Sequence, residues 1–327
     1  MKTKQVLYIG ERNGIHDRRF IETLKQISVV TTYFVREVGD NSEFSYEGYD
    51  FIVAAPLTES ISKIPNSISI PIIGVSLAYD VNLGSDSASL GENINKCSFI
   101  ICDCEHVRKK ICQEFNYPIK STVVIPYGCD LETFKWTRVR DYQKPKFLVT
   151  RNWTKLHSNI LIIEAMQILH ERNIDFECVF LGDGPELENA RKRFRNNSLE
   201  SKIGFCGATS PMEIAQLMQN SNFYVSASSS DGSSVSLMEA MASGMVCVTS
   251  DFPSNLEWII DNETGFLFRN GSSDSLADVL TGVLKKTPSE LRIMGQMGQE
   301  IAVSRADWKK NREIFLESVL ANCENRK

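Results

Sequence analysis

One short segment, residues 228–239, combines small residues and carboxylates in a pattern that suits an anionic ligand. It follows an apolar run at 223–226, which predicts a buried strand, and leads into a helix predicted over 236–242. Amide groups at a helix N-terminus and the positive end of its dipole attract phosphates. Small residues let a diphosphate approach the backbone closely. The backbone that would meet it belongs to Gly232, Ser233, Ser234 and Val235.

Two carboxylates lie in or near this loop. Asp231 lies in the loop and Glu239 lies about one turn inside the predicted helix, so both could meet hydroxyl groups of one extended ligand. A structural explanation competes with this one, because Ser236-x-x-Glu239 is also a capping box and Asp231-Gly232 is a common turn pair. The residues alone leave both explanations open.

The elements that position this segment follow from the hydrophobic pattern. Short apolar runs rich in β-formers alternate with amphipathic stretches, which predicts parallel α/β sheets. The predicted strands are 6–9, 29–35, 50–55, 71–76, 99–102, 122–126, 146–150, 178–182, 203–206, 223–226, 246–250 and 265–268. The chain of 327 residues is also longer than one hydrophobic core usually supports.

We therefore predict two doubly wound domains, residues 1–135 and 136–305, with a linker at 131–145. The remaining residues, 306–327, contain an amphipathic helix with apolar side chains at Ile314, Phe315, Val319 and Leu320. The spacing leaves open whether this helix packs back on the first domain.

The composition excludes several classes of function. A net charge of −5 and the lack of a basic stripe argue against a nucleic-acid partner. No apolar run is long enough to span a bilayer, and the first ten residues do not supply the apolar part of a signal peptide. The nine cysteines include no CxxC pair, which is typical of thiols in a reducing compartment. We expect a cytoplasmic protein.

The segment from Asp231 to Gly244, DGSSVSLMEAMASG, resembles the Glu-x7-Glu signature of family-four retaining glycosyltransferases, the group 1 enzymes of type-B fold. The resemblance spans most of the chain and is strongest over 146–268. It implies two facing Rossmann-like domains with a cleft between them. It also implies transfer of a sugar, with retention, from a nucleotide-diphosphate sugar to a hydroxyl group of a glycan, lipid-linked or small-molecule acceptor.

The same resemblance assigns roles to individual residues. Asp231 would lie by the donor sugar, the amides of 233–235 would meet the diphosphate, and Glu239 would hold the ribose hydroxyls. One departure is Asp231 itself, because the general family pattern has a Glu, whose arm is one methylene longer. Together with Arg151, Asp231 is the expected catalytic pair.

Arg151 ends a predicted strand, where the family places an Arg followed closely by a Lys to bind the donor diphosphate. The rigid donor fork of Arg suits that task, and Lys supplies a point charge. Counting back from 163–165 aligns His157 with the family Lys, whereas Lys155 lies two residues earlier. Either could serve.

The first domain offers three acceptor-side candidates, Asn13, His16 and Asp80. Residues 15–20 resemble the start of an acceptor-side helix in some family members, and residues 76–80 fall where others carry a cleft histidine or a Gly-x-Asp turn. A helix cap is the alternative for His16, and a turn is the alternative for Asp80. No G-x-G-x-x-G follows the first strand, so dinucleotide binding is not indicated.

No group of His, Asp and Glu has metal-ligand spacing, so we expect no metal and no cofactor beyond the donor substrate. The basic cluster at 108–110 suggests peripheral contact with the inner membrane face as a hypothesis, against the alternative of a solvated helix face. Two other functions stay open. These are a non-hydrolysing sugar-nucleotide epimerase and a non-catalytic nucleotide-sugar-binding subunit.

Overall fold

The computed structural model describes residues 3–37, 45–83, 86–136, 140–194 and 199–323. The chain divides into two compact units. Unit 1 comprises Met1–Pro126 and Lys309–Lys327, and unit 2 comprises Tyr127–Trp308. The first segment of unit 1 therefore ends at Pro126, before the predicted domain boundary at residue 135. Part of the predicted linker, residues 137–139, lies outside the described residues.

Unit 1 contains a six-stranded parallel sheet. Its strands are β1 Lys4–Gly10, β2 Ser28–Phe34, β3 Phe51–Ala55, β4 Ile72–Val75, β5 Phe99–Cys102 and β6 Thr122–Val124. Their order across the sheet is β2-β1-β3-β4-β5-β6. Every residue of β3, β4 and β5 is buried, as expected for a parallel sheet covered on both faces. The helices between these strands are α1 Ile15–Leu24, α2 Glu59–Ser62, α3 Tyr79–Asn82, α4 Ser87–Lys96 and α5 Glu105–Glu114, with a 3₁₀ turn at Ile119–Ser121.

Unit 2 contains a second six-stranded parallel sheet. Its strands are β7 Lys146–Val149, β8 Glu177–Leu181, β9 Ile203–Gly207, β10 Phe223–Ser226, β11 Val246–Ser250 and β12 Phe266–Phe268. The order β12-β11-β10-β7-β8-β9 is that of a Rossmann-like domain: β8 and β9 are added on one side of β7, and β10, β11 and β12 on its other side. Its helices are α6 Asn159–Glu171, α7 Leu187–Phe194, α8 Pro211–Asn220, α9 Val235–Ala242, α10 Ser273–Val283 and α11 Pro288–Arg305, with a 3₁₀ turn at Asn255–Glu257. The last helix, α12 Trp308–Asn322, belongs to unit 1 from Lys309 onward.

The predicted fold class is confirmed. All twelve predicted strands are present, and they form two parallel sheets with helices between the strands. The bounds differ by a residue or two, as at β6, which ends at Val124 and not at residue 126. Both faces of the sheet in unit 2 are covered by clusters of buried apolar side chains. Burial on both faces is why these strands are continuous apolar runs in the sequence.

Helix α12 packs against helix α1 of unit 1. The rings of Phe315 and Phe20 stack with their centroids 5.3 Å apart. Phe315 and Val319 are buried, whereas Ile314 and Leu320 remain 45% and 42% exposed. The apolar face of this helix is therefore narrower than the pattern of four apolar residues predicts.

A buried arginine ties together the ends of two helices in unit 2. Arg140 is 7% exposed, and its guanidinium donates to the carbonyl oxygens of Met218 (2.6 Å), Ser221, Ser243 and Gly244 (3.1 Å). These carbonyls lie at the C-terminal ends of α8 and α9, where the last turn lacks intrahelical donors and the helix dipole is negative. Burial lowers the pKa of Arg140 to about 10, so the group stays charged at neutral pH.

Replacing Arg140 with Met should lower the free energy of unfolding by about 3 kcal/mol or more, because several buried carbonyls lose their donor. Urea denaturation measures the loss. Arg172→Met is the matched control, because Arg172 pairs with Asp278 at the surface (2.6 Å). That substitution should cost at most about 1 kcal/mol. Equal losses in the two variants would contradict the role given to Arg140.

Candidate functional site

The reversal of strand order in unit 2 brings the carboxyl ends of β7 and β10 side by side. The two strands pair directly, with Phe223 opposite Phe147. In such sheets a crevice forms outside the carboxyl ends of the two strands at the reversal, and ligands commonly bind there. Residues 150–158 follow β7, and residues 227–234 follow β10. The predicted donor-side residues therefore lie at one edge of one sheet.

Arg151 joins these two loops. Its Nη2 atom lies 2.6 Å from Oδ2 of Asp231, and its Nη1 atom donates to the hydroxyl oxygens of Ser234 (3.0 Å) and Ser236 (3.2 Å). The side chains of Arg151 and Asp231 are only 12% and 21% exposed, so solvent screens their ion pair weakly. The structure thus brings together the predicted arginine, the predicted first acid and the serine loop.

The buried hydroxyl group of Tyr224 supports the contact between Arg151 and the two serines. The hydroxyl oxygen of Tyr224 in β10 lies 2.8 Å from that of Ser236, which lies 3.3 Å from that of Ser234. Because both serines accept hydrogen bonds from Arg151, the chain of hydroxyls helps to hold the guanidinium in place. The apolar run at 223–226 predicts the strand but carries no signal that Tyr224 would reach the site.

The loop after β10 is anchored to its neighbours. The backbone N–H of Ser229 donates to the carbonyl of Leu156, 2.8 Å away, in the loop after β7. The hydroxyl of Ser254, which follows β11, donates to the carbonyl of Asp231 at 3.0 Å. Contacts on both sides therefore fix the backbone of the loop that carries Asp231.

Helix α9 begins directly after this loop. Its N-cap is Ser234, whose side chain makes no capping hydrogen bond. Ser236 is the second residue of the helix, so the capping box Ser236–Glu239 considered in the sequence is not formed. Gly232, Ser233 and Ser234 are buried, and Glu239 is partly exposed one turn into the helix. The first amides of a helix lack intrahelical acceptors, so this end of α9 suits an anion.

The loop after β7 contains both candidates for the second cation. His157 lies 2.9 Å from the carbonyl of Asn152 through Nδ1, and because a carbonyl only accepts, Nδ1 carries the hydrogen. Burial and the nearby charge of Arg151 lower the pKa of His157 to about 4. His157 is therefore neutral at pH 7, whereas Lys155 is exposed in the same loop.

A glycine turn after β8 supports this loop from the other side. Gly184 has a φ of +148°, and a Cβ atom there would collide with the backbone of Trp153. Gly182 has a φ of +84°, and a Cβ there would lie 3.0 Å from the carbonyl oxygen of Arg151. Only glycine allows this close approach.

In unit 1 the acceptor-side candidates lie in the segments that follow β1 and β4, Asn13 in a loop, His16 in α1 and Asp80 in α3. The hydroxyl of Tyr79 donates to Glu11 at 2.7 Å and so connects the two segments. Asn13 is exposed in the first of them. His16 is partly buried at the start of α1, and its ring stacks on Phe20 with centroids 6.4 Å apart.

Asp80 is 2% exposed and accepts hydrogen bonds from within its own unit. Its donors are the backbone N–H of Leu57 (2.8 Å), the hydroxyl of Ser76 (3.0 Å) and the backbone N–H of Leu77 (3.3 Å). Burial raises the pKa of Asp80 to about 6. These bonds give Asp80 a turn-making role, and it also lines a cavity of about 350 Å³ between α2, α3 and α4.

Among the described residues, no group of three or more His, Cys, Asp or Glu side chains could hold a metal ion. In the same ranges no helix has the length and apolar character needed to cross a membrane. Within the basic cluster at 108–110, Arg108 pairs with Glu105 at 2.7 Å and Lys110 donates to the carbonyl of Val81 at 2.9 Å. Two of its three charges are therefore engaged inside unit 1.

Comparisons with known sequences point to one family. Residues 132–300 match the family model described as "Glycosyl transferases group 1". Alpha-monoglucosyldiacylglycerol synthase of Streptococcus pneumoniae is 22% identical over 238 residues, which are 68% of this chain and 53% of that protein. UDP-Gal:alpha-D-GlcNAc-diphosphoundecaprenol alpha-1,3-galactosyltransferase of Escherichia coli is 26% identical over 205 residues, 58% of this chain and 52% of that protein. The chain spans about half the length of these curated relatives.

A solved structure resembles the whole chain. HepE from Anabaena, crystallised in complex with UDP, superposes with a TM-score of 0.77 at 17% identity. The superposition covers 97% of this chain and 100% of that one. At such low identity the likeness shows a shared fold.

In a variant with Asn in place of His157, the free energy of unfolding should fall less on acidification than it does in the wild type. The unfolded pKa of His is about 6.5 and the folded value is about 4, so between these values the unfolded state binds more protons and stability falls as pH falls. We expect His157 to make the chain about 1 to 2 kcal/mol less stable at pH 5 than at pH 7. Urea denaturation at the two pH values measures this difference. The same pH dependence in wild type and variant would show that His157 does not contribute.

Proposed function

The chain belongs to the group 1 glycosyl transferases, and from this premise we propose that it transfers a sugar from a nucleoside-diphosphate sugar to an acceptor hydroxyl. The observation that carries the proposal is the meeting of Arg151 with Asp231 and Ser234 at the N-terminus of α9. A cation, a carboxylate and helix amides lie together there, and these are the groups that would bind a diphosphate and its sugar.

In this proposal the diphosphate binds to the amides of residues 233–235 and to Arg151. Lys155 adds a second positive charge, because His157 is neutral at pH 7 in the unliganded protein. Glu239 accepts hydrogen bonds from the ribose hydroxyls, and Asp231 contacts the donor sugar. A site built to hydrogen-bond these hydroxyls discriminates strongly against ligands that lack them.

The proposed reaction proceeds with retention of configuration at the anomeric carbon. The bond from that carbon to the diphosphate oxygen breaks, and the acceptor oxygen forms the new bond on the same face and gives up its proton to the departing diphosphate. Arg151, Lys155 and the amides of α9 stabilise the charge that develops on the departing diphosphate. Positioning of the two substrates supplies the rest of the acceleration, without a metal ion or a covalent enzyme intermediate.

The relatives suggest which substrates to test first. HepE was crystallised with UDP, and the Escherichia coli relative is named for UDP-Gal and a diphosphoundecaprenol acceptor. The Streptococcus pneumoniae relative is named as a glucosyldiacylglycerol synthase. We therefore propose a UDP-hexose as donor and a lipid-linked acceptor, used by a cytoplasmic protein in peripheral contact with the membrane.

The assay that tests this function incubates the purified chain with single UDP-sugars, with and without lipid-linked acceptors. We expect a glycosylated acceptor, and NMR of the new anomeric proton should show retention. Formation of an epimeric nucleotide sugar would indicate an epimerase, and binding without turnover would indicate a non-catalytic subunit.

Arg151→Met should reduce kcat in the same assay by about 100-fold or more, because the leaving diphosphate loses charge stabilisation. Arg172→Met removes an arginine of the same unit that pairs at the surface, and it should leave kcat within a factor of about two. Full activity of a folded Arg151→Met variant would contradict the proposed role of Arg151.

A further inference from the structure

We propose that Asp231 occupies the guanidinium of Arg151 when no donor is bound, so that the diphosphate must displace it and donor binding exchanges one anion for another. This inference rests on the proposed function, because it concerns the same diphosphate site. Displacement of Asp231 is an additional step, which would not be needed at an arginine without an anionic partner.

The hydrogen-bonding capacity of Arg151 supports the exchange. Nη1 donates to two hydroxyl groups, Nη2 donates to Asp231, and Nε is buried without a hydrogen-bond partner. A phosphate binds arginine most strongly through two adjacent donors. Both hydrogens of Nη1 are engaged and Asp231 takes one of the two on Nη2, so on this side chain, 12% exposed, a phosphate that contacts Nη2 competes with the carboxylate of Asp231.

Asp231 is the acceptor on Arg151 that a phosphate replaces as one anion by another, because the two serine acceptors are neutral. Ser236 is buried and held by Tyr224, whereas the carboxylate of Asp231 is 21% exposed on a loop. Replacing a carboxylate by a phosphate keeps Arg151 paired with a negative charge. If Asp231 stayed in place, its carboxylate would repel the diphosphate in a site that water screens weakly.

The exchange links binding of the diphosphate to contact with the sugar. Once displaced, the carboxylate of Asp231 is available to the hydroxyl groups of the donor sugar. After transfer the nucleoside diphosphate carries no sugar, so Asp231 loses that contact and returns to Arg151. Competition between Asp231 and the diphosphate for Arg151 therefore favours release of the nucleoside diphosphate product.

Isothermal calorimetry with inorganic pyrophosphate and with UDP tests the exchange, because pyrophosphate requires no knowledge of the base or the sugar. Asp231→Asn and Asp231→Ser should each bind both ligands about tenfold more tightly than wild type, since the competing anion is gone; tenfold corresponds to about 1.4 kcal/mol. Asp251→Asn removes the same charge from an exposed position after β11 and should change the affinity by less than about twofold.

A double-mutant cycle separates competition at Arg151 from a general effect of charge. In an Arg151→Gln background, Asp231→Asn should bring no gain in affinity, because the two residues act through one contact. Thermal melting confirms that each variant is folded. If neither Asp231 variant binds more tightly than wild type, or if the gain persists without Arg151, the exchange is wrong. If wild type binds neither pyrophosphate nor any of a panel of nucleoside diphosphates, the proposed function fails as well.

Discussion

The contact of Arg151 with the loop after β10 is the interaction on which the site depends. It exists because the strand order of unit 2 places β7 beside β10, although about 75 residues of chain lie between them. Neighbouring residues then hold Arg151 and the loop after β10 in position. The glycine turn at 182–184 supports the arginine, Ser254 holds the loop, and Tyr224 supports the serines. Arg140 binds the far end of α9, so both ends of the helix that carries Glu239 are fixed.

The charges at this edge of the sheet suit the diphosphate of the proposed function. Arg151 is paired with Asp231, and burial beside Arg151 keeps His157 neutral at pH 7. A diphosphate would add negative charge to this place, which favours protonation of His157 as well as binding to Arg151. In the proposed function both Arg151 and His157 therefore respond to the negative charge of the diphosphate.

The strands, and the proximity of the loops that carry the candidate site, could be predicted from the sequence, and several side-chain contacts could not. Strands buried on both faces are continuous apolar runs in the sequence, and the acidic and small residues after one such run indicate the loop before α9. The partners of Ser236 depend on which side chains face one another across β7, β10 and α9. Local spacing therefore suggested a capping box, whereas Ser236 contacts Arg151 and Tyr224. Asp80 is a similar case, because its donors are revealed only once the loops after β3 and β4 are brought together.

A crystal structure of the chain with a bound nucleoside diphosphate is the most direct test of the donor site. Phosphate oxygens should lie about 3 Å from the amides of residues 233–235 and from the guanidinium of Arg151, with the ribose hydroxyls at Glu239. A diphosphate bound away from the ends of β7 and β10, or a ribose without contact to Glu239, would contradict the assignment of this edge of unit 2 as the donor site.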